Sequence, residues 1–351
     1  MDPKSLFSLN DHLEALSEHG DPLEVLNQTI DFEYFRGWLV EGLGYGDGSK
    51  GGRPPFDPVA MFKILILQAQ HNLSDARTEF MFRDRLSWMR FVGFSLGDRT
   101  PDENTIRHFR NKMTETGTLK RVMKAFDWQL NKKGYIPMSG QIVDASLVPA
   151  PKQRNTDGKS AKEIWPDKPA KAAQKDTDAR WTLKIGGKVR YRQDGTPLPM
   201  IALPVFGYKS HITIDRRYGF IRGAAVTSAT AADGRMLRQV IDRENTGSDV
   251  WADSAYRSQS NEKWLADRML TSRIHRRKPK GKPMPKTMAR ANAAKSAIRA
   301  KVEHVFAHQK NKFGLFIRTI GIKRAEAKLT LANLAYNFDR LVFHEKRAIM
   351  G

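Results

Sequence analysis

Apolar positions in the first 135 residues recur every three or four residues, the period of a helix with one buried face. In the segment DFEYFRGWLVEGL, apolar side chains at this spacing are Phe32, Phe35, Leu39 and Leu43. They predict a helix that packs in a core or against a second copy of the chain. The same period continues along the chain and predicts further helices at 59–70, 74–83, 86–94 and 119–133. Ser74 is a good N-cap for the second of these helices.

A basic helix is predicted to begin near residue 100. Thr100 as N-cap, Pro101 at the first helical position and Glu103 three residues after the cap form a strong start signal. The helix carries several basic side chains, including Arg107 and Arg110, and it follows a set of short helices. This order is typical of a helix-turn-helix DNA-binding unit. A helical bundle with a solvated basic face fits the pattern equally well.

The hydrophobic period changes to that of β-strands in the segment QIVDASLVP. Ile142 and Val143 precede Asp144, and Pro149 closes the segment, so we expect a short strand with Asp144 at its carboxyl end. A carboxylate is unfavourable at the end of an apolar strand and often marks a site there. Asp is also common in turns, so this feature alone does not distinguish a site from a turn.

From Ile142 onward the predicted order is strand, insertion, strand, strand, helix, strand, helix, strand, helix and a closing helix. Residues 150–200 form the polar insertion. Within it Trp181 lies between basic residues, where it either stacks on DNA bases or anchors the insertion to the rest of the protein. The fourth predicted strand, 248–252, ends directly before Asp253.

The segment KSAIRAKVEHVFAHQKNK, residues 295–312, predicts one uninterrupted helix. At about 100° per residue, Arg299, Glu303 and Lys310 lie within roughly 40° of one another. Residues 271–312 contain thirteen Lys or Arg residues and a single acid, Glu303. Nearby positive charge favours the ionised carboxylate. A surface helix with ion pairs four residues apart is the alternative interpretation.

The net charge narrows the class of partner. The chain has 351 residues and a formal net charge of +22, which suits a polyanion. Residues 1–42 are the exception, with nine acids against two bases. The absence of cysteine excludes disulfides and thiolate metal sites. No signal peptide, lipidation motif or long apolar run is present, so we expect a soluble intracellular protein rather than a membrane-bound one.

The predicted helix at residues 295–312 carries three of the four residues of a known signature. Insertion-sequence transposases related to the families numbered four and five have Tyr, two residues, Arg, three residues, Glu, six residues and Lys. Arg299, Glu303 and Lys310 match this spacing, and Ser296 stands at the Tyr position. The likeness extends to QIVDAS, GYKSHITID, VWADSAY and LTLANLAYNFDRL. From about residue 51 to 341 the chain resembles these transposases, and the family numbered five most.

The resemblance implies a fold and a domain organisation. The order of strands and helices is similar to that of the ribonuclease H-like α/β fold, which we expect at residues 136–345 with the insertion inside it. A mainly α-helical region is expected before it. This region divides into an acidic helical arm at 1–50 and a DNA-binding domain at 51–135.

The resemblance also implies the chemistry. Asp144, Asp253 and Glu303 correspond to the DDE triad of DNA transposases, which is catalytic and holds the metal. Carboxylate oxygens suit Mg²⁺, with Mn²⁺ as a substitute, and a pair of ions suits an in-line displacement at phosphorus. The implied reaction is cleavage at the element ends by activated water, followed by joining of the 3′-hydroxyl ends to target DNA.

The implied partners are double-stranded DNA, as terminal inverted repeats and as target, and further copies of the chain in a homodimer or larger synaptic assembly. The implied location is the bacterial cytoplasm, in association with the nucleoid. Basic and aromatic side chains near the triad or on the basic helices are expected to contact DNA. They are Arg107, Arg110, Trp181, Lys209, His211, Tyr256, Arg257, Arg276, Arg277, Lys278, Arg299, Lys310 and Lys312.

Three other functions remain open at this point. A metal-dependent nuclease of the same fold cuts DNA without joining strands, and its site has the same residues. A recombinase with a Tyr or Ser nucleophile is basic too, but it needs Arg and His around the nucleophile rather than three acids. A non-catalytic DNA-binding protein explains the charge but leaves the three acids without a role.

Overall fold

The computed structural model describes residues 8–45, 54–153, 163, 165–185, 192, 194, 196 and 202–350. Most of the predicted insertion and the predicted boundary at residue 50 lie outside these residues. The chain divides into two compact units. A helical unit comprises Met1–Tyr135, Asn311–Gly314 and Thr330–Gly351. An α/β unit comprises Ile136–Lys310 and Leu315–Leu329.

The helical unit contains most of the predicted N-terminal helices, with small shifts at their ends. The segment predicted as one helix over 31–43 is a 3₁₀ turn, Glu33–Phe35, followed by a helix. The helices are α1 Ser8–Glu18, α2 Pro22–Thr29, α3 Arg36–Leu43, α4 Pro58–Gln70, α5 Asp75–Asp84, α6 Leu86–Val92, α7 Glu103–Glu115 and α8 Thr118–Lys132.

Helix caps explain where two of these helices begin. Ser74 caps α5 as predicted, because its side chain accepts a hydrogen bond from the backbone N–H of Arg77. The predicted cap at Thr100 is wrong. Asp102 caps α7 and accepts from the N–H of Thr105 at 2.7 Å, so the helix begins at Glu103. An ionised carboxylate at this position also interacts favourably with the helix dipole, which a Thr hydroxyl does less well.

Aromatic side chains fill the core of the helical unit. Phe32, Phe35, Phe62, Phe126 and Phe338 are each at most 4% exposed. Ring centroids lie 4.7 Å apart for Phe126 and Phe338 and 5.6 Å apart for Phe32 and Phe338, in edge-to-face contacts. The apolar face predicted over residues 31–43 is therefore packed inside the unit. Burial of each such ring contributes about 2–3 kcal/mol.

The α/β unit is built on a mixed sheet. Its strands are β1 Gln141–Pro149, β2 Arg180–Ile185, β3 Ala202–Asp215, β4 Ile221–Ser228, β5 Asp249–Trp251 and β6 Thr271–Ser272. They are ordered β2–β3–β1–β5–β6, and β4 also pairs with β3. β3 is antiparallel to β1, β2 and β4, whereas β1, β5 and β6 are parallel. The predicted hairpin and the predicted order of the strands along the chain are confirmed. β2 is an additional strand within the predicted insertion.

Asp144 does not lie at the end of a strand, contrary to the sequence prediction. β1 continues for five residues beyond it, because β1 pairs with β3 from Gln141↔Asp215 to Pro149↔Gly207. On its other side β1 pairs with β5 only at Gln141 and Ile142. Asp144 therefore follows the end of the parallel pairing, although the strand itself continues.

The α/β unit has helices beside the sheet. These are α9 Pro169–Ala173, α10 Leu237–Val240, α11 Gln259–Ala266, α12 Lys286–Ala307 and the first part of α13 Ile322–Met350, which continues in the helical unit from Thr330. A π-helical turn, His308–Lys312, follows α12. No helix in the described part of the chain combines the length and hydropathy that crossing a bilayer requires.

Candidate active site

One arginine connects two of the three predicted catalytic acids. Arg299 on α12 donates hydrogen bonds from Nη1 to Oδ2 of Asp144 on β1 and from Nη2 to Oε1 of Glu303, the latter at 3.1 Å. The Asp144 side chain is 13% exposed and the Glu303 side chain 62% exposed. The guanidinium therefore bridges a carboxylate that is mostly shielded from solvent and one that is solvated.

Burial dominates the electrostatics of Asp144. Removal of the carboxyl from water raises its pKa to about 6, against the opposing effect of the Arg299 charge and a hydrogen bond from the Ala145 N–H. The negative charges of Asp253 and Glu303 raise the pKa further. The structure thus places Asp253 and Glu303 close enough to Asp144 for their charges to act on its carboxyl.

Asp253 follows β5 closely, although the strand ends at Trp251, one residue earlier than predicted, so that Ala252 lies between them. Its Oδ1 accepts a hydrogen bond from the Ala255 N–H at 2.8 Å and so caps a 3₁₀ turn, Ser254–Tyr256. The carbonyl of Ser254 in this turn accepts from Nε of Arg277 at 2.9 Å. This contact attaches the basic segment before α12 to the loop that holds Asp253.

The acids have the ligand chemistry of a magnesium site but are not arranged as one. Among the described residues, no three His, Asp or Glu side chains are grouped so that they could hold a metal ion. A cation already lies between Asp144 and Glu303, because the Arg299 guanidinium contacts both. All three acids offer oxygen atoms, the donors that Mg²⁺ prefers. The chemistry of the donor set therefore fits Mg²⁺, with the Arg299 guanidinium lying between two of the three acids in this conformation.

Lys310 reaches β1 at a different position from Arg299. Its Nζ donates a hydrogen bond to Oγ of Ser146, which lies on the same face of the strand as Asp144 because side chains alternate. Burial, and then the charge of Lys184, lower the pKa of Lys310. The sequence prediction missed Ser146. The two-residue spacing from Asp144 within a strand was the signal that points to it.

Two family models match the chain. A transposase domain matches residues 11–112, and the transposase DDE domain matches residues 136–338, more than half of the sequence. The chain belongs to the DDE transposase family. It is therefore an enzyme that acts on DNA, a transposase of the insertion-sequence type. No solved structure matches the chain.

Three predicted DNA contacts of the transposase lie on an exposed basic segment. Arg276, Arg277 and Lys278 are all exposed and lie between β6 and α12. The backbone around Arg276 is held by Asn292 of α12, which accepts from the Arg276 N–H at 3.1 Å and donates to its carbonyl at 3.0 Å. The segment is thus fixed to the helix that carries Glu303 while its charged groups face solvent.

Two other predicted contacts of the transposase lie in its interior. His211 is buried, and its Nε2 lies 2.8 Å from Oγ1 of Thr227. Tyr256 is also buried, and its hydroxyl has no hydrogen-bond partner among the described residues. Burial and the nearby carboxylates, Asp144 first among them, raise the pKa of Tyr256. Neither side chain reaches the protein surface in this conformation.

Several predicted contacts in the α/β unit already have protein partners. Lys209 pairs with Asp233 at 2.8 Å, and its side chain is 18% exposed. Arg257 donates to the carbonyl of Ile274 at 3.1 Å and lies 3.5 Å from Glu262. Each of these interactions ties a loop to the sheet or to a neighbouring helix.

Trp181 anchors part of the insertion, one of the two roles left open by the sequence. Its ring centroid lies 5.4 Å from that of Phe206 on β3, and its Nε1 donates to the carbonyl of Gln153 at 3.2 Å. The side chain is only partly exposed. These contacts give the indole a structural role in this conformation.

The predicted contacts in the helical unit differ in accessibility. Arg110 is held by Asp75, which accepts from Nη1 and, at 2.9 Å, from Nη2, and it is 15% exposed. Lys312 is 62% exposed but pairs with Asp339 at 2.6 Å. Arg107 is exposed on α7 and donates to Asn104 at 2.7 Å. Of these three, Arg107 is held least firmly, since its partner is a neutral side chain on the same helix.

Proposed function

We propose that this transposase binds the terminal inverted repeats of its element, cleaves DNA at the element ends and joins the freed 3′-hydroxyl ends to target DNA. The observation that supports this most directly is the cation held between Asp144 and Glu303, within the field of Asp253. Two acids that share a cation, with the charge of a third acid acting on one of them, offer the kind of ligands that metal-assisted phosphoryl transfer uses in a chain of the DDE family.

Asp144, Asp253 and Glu303 are the residues that would hold Mg²⁺, or Mn²⁺ in its place, as two ions. Such ions activate water and stabilise the attacking and leaving oxygens at phosphorus. Asp144 supplies a fixed ligand from a strand, because β1 is paired on both sides near it. Glu303 supplies an exposed ligand from a helix, which can adjust when DNA binds.

The proposed DNA surface next to this site is formed by the exposed basic segment Arg276–Lys278, together with Arg299 and Lys310. Arg and Lys bind phosphate through charge-assisted hydrogen bonds. In the helical unit, the candidate DNA contact is the exposed Arg107 on α7. Its exposure supports the proposal that this unit binds DNA. Since two element ends must be brought together, we include a homodimer or larger assembly in the proposal.

The strand order supports a ribonuclease H-like catalytic domain. An antiparallel hairpin lies on one side of β1 and two parallel strands on the other, with Asp144 on β1 and Asp253 after β5. The DDE domain implies this fold. The closer likeness to the insertion-sequence family numbered five rests on the spacing of Arg299, Glu303 and Lys310.

Strand joining tests the proposal. A labelled duplex with the terminal sequence of the element is incubated with Mg²⁺ and either the intact chain or the Glu303→Gln variant. We expect products longer than the substrate with the intact chain, and none without metal or with the variant. Glu244→Gln, which changes an exposed acid elsewhere in the α/β unit, is the matched control and should join strands normally.

Each other outcome has a defined meaning. Metal-dependent cleavage without joined products would support the three acids but replace the transposition proposal with a nuclease. Cleavage that Glu303→Gln leaves unchanged would exclude Glu303 from the site. Tight, salt-sensitive binding without any reaction would identify a DNA-binding protein without catalysis.

A further inference from the structure

Arg299 occupies the position between two proposed metal ligands. Its Nη1 and Nη2 donate to Asp144 and Glu303, one carboxylate each. Its Nε is buried and has no hydrogen-bond partner within the described residues. Among the described residues, the guanidinium therefore has hydrogen bonds only to these two acids, and its side chain is 21% exposed.

A guanidinium and a metal ion compete for these two carboxylates. Both are cations that bind carboxylate oxygens, and Arg299 already uses one oxygen of each acid. Without a cation between them, the negative charges of Asp144 and Glu303 would repel each other. Arg299 removes that repulsion while the metal is absent.

We propose that Arg299 is a positioning residue that holds Asp144 and Glu303 together as an internal cation and releases them to the metal when DNA phosphate binds its guanidinium. This inference rests on the proposed function, since it takes the two acids to be metal ligands. Arg299 then has two successive partners, first the carboxylates and afterwards the DNA.

The sequence around Arg299 explains why the second partner comes from outside the chain. Glu303 is the only acid between residues 271 and 312, among thirteen Lys or Arg residues. A guanidinium that leaves Glu303 therefore finds no other carboxylate on this segment. A phosphate offers two oxygens in the geometry that a guanidinium prefers, and the surrounding positive charge attracts DNA to the same place.

The proposal predicts that DNA and metal bind cooperatively. DNA that takes up Arg299 frees the ligands, and a metal that takes up the ligands frees Arg299. Each must raise the affinity for the other by the same factor, because coupling free energies are reciprocal. The enzyme without DNA would then bind metal weakly, which would limit cleavage in the absence of a bound element end.

Mn²⁺ affinity, measured by electron paramagnetic resonance of the free ion, tests the proposal without any catalytic readout. We expect Arg299→Gln to bind Mn²⁺ about tenfold more tightly than the intact chain in the absence of DNA. Arg299→Lys should fall between them, since an ammonium is a point charge that lacks the guanidinium fork. Arg290→Gln removes an exposed Arg from the same helix and should leave the affinity unchanged. Asp144→Asn should weaken binding in each background.

A second arm adds a duplex of the element's terminal sequence. The duplex should tighten Mn²⁺ binding to the intact chain and have little effect on Arg299→Gln. Equal Mn²⁺ affinities of the intact chain and Arg299→Gln, with binding still lost in Asp144→Asn, would overturn the role of Arg299 and leave the metal site standing. Absence of Mn²⁺ binding in every variant, with and without DNA, would overturn the metal site and the proposed function with it.

Discussion

At the scale of single residues, burial decides which ionisable groups remain available for chemistry. Asp144 and His211 both have pKa values shifted by desolvation, upward to about 6 for the acid and downward to about 4 for the histidine. Asp144 has Arg299 beside it and belongs to the site. His211 has Thr227 as its hydrogen-bond partner, so its shift records a structural role.

The His211 shift predicts a pH dependence of stability. Its folded pKa of about 4 lies below the ordinary value of 6.5, so the fold favours the neutral ring. The contribution of the neutral ring to the free energy of unfolding is complete above about pH 6.5 and is lost as the pH falls to about 4. The loss is at most about 3 kcal/mol. The charge of Asp233 raises the pKa of the ring and so reduces the effect, whereas the charge of Lys209 lowers the pKa and adds to it. Urea unfolding at several pH values should show a smaller acid loss in His211→Gln. An equal loss in both proteins would contradict the assignment.

The Tyr256 hydroxyl, which has no hydrogen-bond partner in the part of the chain that the structure describes, predicts a substitution that does not destabilise the protein. A buried hydroxyl without a hydrogen bond costs about 1–3 kcal/mol, so Tyr256→Phe should preserve or increase the free energy of unfolding, by about 1 kcal/mol. Tyr208→Phe is the contrasting control, because its hydroxyl donates to the carboxylate of Asp176 at 2.7 Å and its loss should destabilise the protein. Destabilisation of Tyr256→Phe to a similar degree would show that its hydroxyl has a partner.

At the scale of elements, the site depends on how α12 meets β1. Asp144 and Ser146 share one face of β1, and the segment that begins with α12 contacts that face through Arg299 and Lys310. The π-helical turn His308–Lys312 changes the helical period between Glu303 and Lys310. Lys310 is therefore directed at Ser146, whereas a continuous α-helix would place it above Glu303.

Close packing of α10 on β4 predicts a sensitive glycine. A Cβ at Gly223 on β4 would lie 2.0 Å from the carbonyl oxygen of Val240, a backbone atom. Gly223→Ala should therefore lower the free energy of unfolding by about 2 kcal/mol or more, because helix or strand must move. Gly37 on α3 has open space around it, so Gly37→Ala should raise stability by about 0.5–1 kcal/mol. Chemical denaturation of both variants measures the difference, and a neutral Gly223→Ala would contradict this packing.

At the scale of the whole molecule, positive charge dominates. The formal net charge is +22, and the segment 271–312 alone has thirteen Lys or Arg residues and one acid. Charge of this size attracts DNA at long range and makes binding sensitive to salt. In the proposed function, the charge accounts for the affinity for DNA and the three acids account for catalysis.

Salt dependence predicts which exposed charges contact phosphates. Replacement of Arg276, Arg277 and Lys278 by Gln should reduce the slope of log affinity against log salt by about 0.9 for each phosphate contact that is lost. The charge-matched control replaces three exposed basic residues elsewhere in the α/β unit, Arg243, Lys263 and Arg268. Binding titrations at several salt concentrations measure both slopes. Equal changes in the two triple variants would mean that only net charge acts.

The sequence alone determined the local elements and the chemical class of the protein. Helical periods, the Ser74 cap and strand alternation predicted most helices and all strands except β2, because these signals depend on neighbouring residues. The spacing of Arg299, Glu303 and Lys310 predicted the transposase family that the family models confirm.

Only the tertiary structure decided how the predicted residues meet. The pairing of Asp144 with Arg299 joins positions 155 residues apart, and that of Ser146 with Lys310 joins positions 164 apart. Burial of His211 and Tyr256 likewise depends on strands and loops distant in sequence, so two residues that the resemblance implied as DNA contacts lie in the interior of this conformation. A sequence pattern specifies which face a side chain occupies, but the partner on that face is set by packing between elements, and here that partner is a guanidinium between two acids.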